Sequence, residues 1–144
     1  MSTTLASSPN STVATQPQAN YRRHVLDLDD FSRDEIGEIL ETTASMKEVL
    51  NRPIKQVPAL RGKTVVNMFF EDSTRTRISF ELAARALSAN VVTMSARGSS
   101  VEKGESLLDT MRTLQALGAD IIVMRHRESG APYLVAQHFL VSVL

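Results

Sequence analysis

The feature that most constrains the fold is an alternation between short apolar runs rich in strand formers and segments of helical period. Thr64-Val65-Val66-Asn67-Met68-Phe69-Phe70 is the first run, and Val91 to Met94, Ile121 to Met124 and Val141 to Leu144 follow. Each is short and bounded by turn-forming or polar residues, as a strand buried on both faces requires. Between them the period becomes helical. Ile78, Phe80, Leu82, Ala83 and Leu87 mark one helix, and Leu107, Leu108, Met111, Leu114 and Leu117 another, ended by Gly118. A further helix is predicted from Ala131 to about Phe139. Strands alternating with helices predict an α/β fold, a parallel sheet with helices on both faces. Upstream, Ser32 and Glu35 form a capping box, and Ile36, Ile39, Leu40, Thr43 and Met46 continue at helical spacing to about Leu50, before Pro53.

In such sheets ligands bind beyond the carboxyl ends of the strands. Three segments fall there: 71–77, 95–104 and 125–130. The first holds Ser73-Thr74-Arg75-Thr76-Arg77 at the start of a helix. A helix N-terminus presents unpaired N–H groups and a positive dipole end. Three hydroxyls add donors, and an Arg adds a planar fork that matches two phosphate oxygens. Together they suit a compact phosphate cradle with no Gly-rich loop. The same residues would also serve as a plain helix cap with solvated arginines.

Composition limits the partners. The 144 residues carry 16 Lys+Arg and 16 Asp+Glu, so no overall basic field draws in nucleic acid, and an aromatic content of 5% gives few stacking platforms. Any anion site is therefore local. With no cysteine there are no disulfides, thiolate nucleophiles or Cys-ligated metals, which fits a reducing cytoplasm. No apolar run is long enough to span a bilayer, and the N-terminus lacks the basic and apolar blocks of a secretory signal. Residues 2–20 hold no charge, no aromatic residue and only Leu5 and Val13 as large aliphatics. A tail over 1–20 is expected to stay disordered, leaving one domain over 21–144. An apolar strand that halts at Leu144 without a polar cap reads as a truncated chain.

The run from Phe69 to Glu81, FFEDSTRTRISFE, resembles the signature of the aspartate and ornithine carbamoyltransferase superfamily, and the likeness extends from about residue 21 to the end. The resemblance implies that Ser73, Thr74, Arg75 and Thr76 hold the phosphate of carbamoyl phosphate. Ser99 to Ser106, SSVEKGES, is similar to the loop of the aspartate-specific branch, which ornithine enzymes usually lack. In that branch the loop reaches into a neighbouring subunit's site, where a Ser and a Lys touch substrate. Lys103 matches the Lys; Ser100 is the better match for the Ser, with Ser99 also fitting.

Val123 to Gly130, VMRHRESG, resembles the family's V-M-R-H-x-x-x-G, which places Arg125 on the carbonyl oxygen and phosphate. An unpaired Arg125 just after a buried strand would be costly. His126 either takes part or merely orients the turn, and His24 and His138 are assigned no role. Arg77 points away from the phosphate if Arg75 points toward it, and a structural ion pair with Glu105 is expected. Glu71 is similar to a family Glu that ties two domains together, with its partner expected beyond residue 144.

The resemblance implies transfer of the carbamoyl group to the amino group of L-aspartate, in de novo pyrimidine biosynthesis, by a homotrimer with shared sites. Arg75, Thr76, Arg125 and Lys103 would be catalytic, with no metal and no cofactor, and regulatory chains are a possible further partner. The family's later H-P-T-Q segment and its aspartate-binding domain have no counterpart here, so this polypeptide is expected to be inactive alone. Two other readings remain open: an ornithine or other carbamoyltransferase, and a non-catalytic anion-binding module.

Overall fold

The computed structural model describes residues 22–95 and 106–144. The expected tail over 1–20 lies outside them. The element order is α1 (Arg33–Leu50), a 3-10 turn (Pro58–Leu60), β1 (Thr64–Phe69), α2 (Thr74–Ala86), β2 (Asn90–Ser95), α3 (Leu107–Ala116), β3 (Ile121–Arg125), α4 (Ala131–His138) and β4 (Ser142–Val143). No helix among the described residues is long and apolar enough to cross a membrane.

The capping box forms as its residues dictate. Ser32 Oγ accepts from the Glu35 N–H at 3.3 Å, and the Ser32 N–H donates to Glu35 Oε2 at 2.8 Å. Arg22 Nε donates to the same carboxylate at 2.7 Å while its guanidinium rests over the Phe31 ring. Arg22 first, then Ser32, hold the Glu35 carboxyl at about 2, below its ordinary 4.5. The folded value lies below the unfolded one, so the stability Glu35 contributes is complete above pH 4.5 and is lost as pH falls toward 2. We expect Glu35→Gln to flatten that acid loss, read from denaturation midpoints at pH 7 and pH 3. Parallel losses in parent and variant would refute this role.

The four strands form one parallel sheet in the order β2-β1-β3-β4. β1 is paired on both sides, and every residue from Val65 to Phe69 is buried. Side chains alternate across it, because successive residues of a strand face opposite sides. Val66 and Met68 pack with Ile122, Val143, Met111 and Val135, so α3 and α4 cover that face. Val65, Phe69 and Val123 pack with Ala84 of α2 on the other. Helices therefore lie on both faces, as the alternation predicts.

Two helices end on the same Schellman pattern, in which a left-handed residue returns the last N–H groups to the helix. At α3, Gly118 has φ +89° and the Ala119 N–H reaches the Leu114 carbonyl. At α2, Ser88 takes that position with φ 66°, and the Ala89 N–H reaches the Ala84 carbonyl. Ser88 Oγ also donates to the Val57 carbonyl at 2.9 Å, which anchors a residue type seldom found in this conformation.

The helix expected to about Leu50 forms, with much of its apolar stripe outside the core: Ile39 is 50% and Leu40 64% exposed, and Val49 is the helix's buried residue. α1 meets the rest of the fold mainly through its last turns, where Met46, Val49 and Leu50 line a small apolar cavity with Val57, Ala83 and Leu87. An apolar strand that halts at Leu144 would be expected to leave apolar surface exposed, and the segment around β4 corrects this at two residues. Val141 and Val143 are fully buried. The Val25 N–H donates to the Val143 carbonyl at 2.8 Å, and the Val143 N–H donates to His24 Nδ1 at 3.3 Å. The segment ahead of α1 thus lines the free edge of β4. Burial first, then Arg23, hold the His24 imidazole below its ordinary value, which favours the neutral ring this bond needs.

Candidate functional site

Strand order places the site. From β1 the chain passes through α2 to β2 on one side, then recrosses through α3 to β3 on the other. The order therefore reverses between β1 and β3, and their carboxyl ends frame the crevice where open α/β sheets bind ligands. Ser73 to Arg77 leave the end of β1, and Arg125 is the last residue of β3. The two strands are in register there: Phe69 pairs with Arg125, and the Phe70 N–H donates to the Arg125 carbonyl at 2.8 Å.

α2 begins differently from the helices before and after it. Ser32 and Ser106 each turn their hydroxyl onto a first-turn N–H of α1 and α3. Ser73, at the N-cap of α2 with φ −150° and ψ 82°, makes no such bond. The first intrahelical bond of α2 runs from the Arg77 N–H to the Ser73 carbonyl at 3.1 Å. The N–H groups of Thr74, Arg75 and Thr76 are the ones a helix start leaves without intrahelical partners. Ser73, Thr74, Arg75 and Thr76 together line a concavity of about 620 Å³. The dipole end, the free donors and the Arg75 fork suit a tetrahedral oxyanion.

Arg125 avoids the cost of an unpaired buried cation: its side chain is 47% exposed, and Nε donates to Glu71 Oε2 at 3.0 Å. Glu71, whose partner was expected beyond residue 144, thus has one within the chain. At this exposure the pair is screened and worth on the order of 1 kcal/mol or less, so an anion in the crevice can compete for Arg125.

His126 orients its turn. Its Nδ1 accepts from the Glu128 N–H at 2.9 Å, and its ring meets Phe70 edge-to-face with centroids 4.5 Å apart. His138 Nδ1 lies 2.8 Å from the Leu134 carbonyl within α4. Arg77 is half-buried. Its charge acts on Glu81, whose carboxyl is held below the usual range by Arg85 first, then Thr93, with Arg77 a smaller influence. Ser99, Ser100, Lys103 and Glu105 lie outside the described residues, so the Arg77–Glu105 pair and the loop contacts do too.

Sequence reading passed over Asn67. It is fully buried at the centre of β1, on the face toward α2, and Nδ2 donates to the Arg77 carbonyl at 3.4 Å. The available signal was an amide inside an otherwise apolar run.

Comparison with known proteins agrees with this geometry. Residues 23–144 match the family model for the aspartate/ornithine carbamoyltransferase, carbamoyl-P binding domain. The aspartate carbamoyltransferase catalytic subunit of Roseiflexus castenholzii is 81% identical over 123 residues, which is 85% of this chain and 39% of that protein. The same subunit of Chloroflexus aurantiacus is 80% identical, again over 85% of this chain and 40% of the relative. Among solved structures, the catalytic subunit of M. jannaschii aspartate transcarbamoylase is 43% identical with a TM-score of 0.74, covering 85% of this chain and 40% of that one. Aspartate transcarbamoylase from Trypanosoma cruzi in complex with carbamoyl phosphate is 31% identical with a TM-score of 0.76, covering 83% and 37%. The chain thus spans about two-fifths of the length of the relatives it matches. With the family signature at the reversal of strand order and the match running through the described fold, the chain belongs to the aspartate/ornithine carbamoyltransferase family, in the part that forms the carbamoyl-phosphate-binding domain.

Proposed function

We propose that this chain supplies the carbamoyl-phosphate-binding half of an aspartate carbamoyltransferase. The observation that carries the proposal is the uncapped start of α2, where Ser73 to Thr76 line a concavity after β1, the strand paired with the one that ends at Arg125. Ser73, Thr74, Arg75 and Thr76 hold the phosphate group. Thr76 and Arg125 polarise the carbonyl oxygen as it gains negative charge, once the ligand draws Arg125 from Glu71. The α-amino nitrogen of aspartate, deprotonated, attacks the carbonyl carbon and loses a further proton. The C–O bond to phosphate breaks, leaving N-carbamoyl-aspartate and inorganic phosphate, a step of de novo pyrimidine synthesis. Catalysis here is positioning plus charge stabilisation.

Aspartate as the acceptor is supported by the Lys103-Gly104-Glu105 sequence and by the names of the most similar relatives. Lys103 and Ser100 act in a neighbouring subunit's site, within a homotrimer working in the cytoplasm. Ile78 and Leu82, one helical turn apart on α2 and both exposed, are apolar surface of the kind such an assembly would cover. Glu71 and Arg77 keep structural roles, Glu71 through its pair with Arg125.

The test offers the full-length form carbamoyl phosphate with aspartate or with ornithine. We expect carbamoyl-aspartate and no citrulline. Citrulline as the main product would assign the chain to the ornithine branch. Phosphate binding with neither product would support the non-catalytic module.

A further inference from the structure

We propose that Asn67 is a positioning residue for the phosphate cradle, its buried amide setting the start of α2 against the strand that also holds Arg125. The inference rests on the reading of Ser73 to Thr76 as that cradle.

Asn67 is 0% exposed and lies at the middle of β1, in register with Thr93 on one side and Val123 on the other. Val65 and Phe69, which share its face, pack against Ala84 of α2 and Val123. An aliphatic residue would suit this place, and every other residue from Val65 to Phe69 is apolar. Among the described residues the amide instead makes a single bond, from Nδ2 to the Arg77 carbonyl at 3.4 Å, and Oδ1 has no partner there. That bond is long for an N–H···O contact, and a buried amide oxygen without a donor is unfavourable. Asn67 is therefore poorly explained as a stabilising residue.

Its location supplies another explanation. Arg77 is the fourth residue of α2, directly after the three whose N–H groups face the crevice. Its carbonyl has two lone pairs, one for the helix ladder and one for Asn67. Directly after the end of the same strand, the Phe70 N–H donates to the Arg125 carbonyl at 2.8 Å. β1 and the residue that follows it thus tie to both sides of the site: Arg125 through Phe70, and the start of α2 through Asn67. Without the amide, α2 would keep its apolar packing through Ala84 and lose the one polar tie between β1 and its first turns among the described residues.

The experiment compares Asn67→Leu and Asn67→Val with the parent 144-residue chain, using inorganic phosphate as the probe. Leu keeps nearly the shape of Asn without its amide. We expect the denaturation midpoint to stay level or rise, while the dissociation constant for phosphate weakens about threefold to tenfold, the range for one neutral hydrogen bond. Val66→Ala is the control, since Val66 is buried on the opposite face of β1: its midpoint should fall with phosphate affinity unchanged. Unchanged phosphate affinity in folded Leu and Val variants would overturn the proposal. Loss of the fold in both would overturn it too, because the amide would then be a stability element. Arg75→Ala, run alongside, separates the two ideas. If it also leaves phosphate affinity unchanged, the cradle reading itself has failed.

Discussion

Arg75→Ala should reduce carbamoyl transfer by the full-length form about 10²–10³-fold, the usual effect of removing one donor that meets developing charge. It should also weaken phosphate binding to the 144-residue chain, which isolates the ground-state part. Arg75 is the one side chain of the concavity that brings a full charge and a planar fork, while Ser73, Thr74 and Thr76 bring hydroxyls and N–H groups. Water entering an open site can replace a hydroxyl contact more readily than a two-point guanidinium contact. Glu71→Gln provides the opposite control. It removes the anion that holds Arg125 at 3.0 Å and should tighten phosphate binding severalfold at most, because the pair is half-exposed. Turnover in Arg75→Ala within tenfold of the parent would remove Arg75 from the phosphate site.

The parts of this fold that were legible in the sequence are those decided locally. The Ser32–Glu35 box closes over three residues, so its sequence contains the whole interaction. β1 was legible because a strand buried on both faces must be apolar throughout. The start of α2 was legible because Ser73 to Arg77 follow an apolar strand and open a helical period; that Ser73 leaves the helix uncapped, unlike Ser32 and Ser106, was not. What was not legible depends on partners far along the chain. Glu71 finds Arg125 across 54 positions, and His24 meets Val143 across 119. Helical period told which face of α1 is apolar, but not that Ile39 and Leu40 would stay exposed among the described residues. Period fixes a face; it carries no information about what is packed on it. Asn67 was missed for a related reason: a strand tolerates one polar residue, and only the position of α2 shows what that residue touches.

The 144-residue chain by itself should bind phosphate or carbamoyl phosphate weakly and should not carbamoylate aspartate. The proposed cradle is contained within one strand-to-helix junction, and the β1–β3 pairing sets Arg125 at the end of the neighbouring strand, so both proposed parts of the phosphate site belong to this chain. The chain spans 39% of its Roseiflexus relative, and the proposed acceptor site lies in the portion of that length it does not match. Lys103 would in addition have to come from a neighbouring copy. Stability is the second condition. The sheet is better closed than an open-ended β4 would leave it, since Val141 and Val143 are buried and Val25 bonds to the strand's edge. Exposed apolar side chains cluster on α1, at Ile36, Ile39 and Leu40, and on α2, at Ile78 and Leu82, where several share one helix. Self-association is expected to proceed through these helices, and Leu40→Lys, at a side chain 64% exposed, should raise solubility more than a polar change at Leu144, which is 38% exposed. Calorimetry with phosphate and a radiolabel assay for carbamoyl-aspartate measure the two activities separately. Binding without product is the expected pair of results. Turnover approaching that of a complete relative would refute the division of labour and place the aspartate site within residues 22–144.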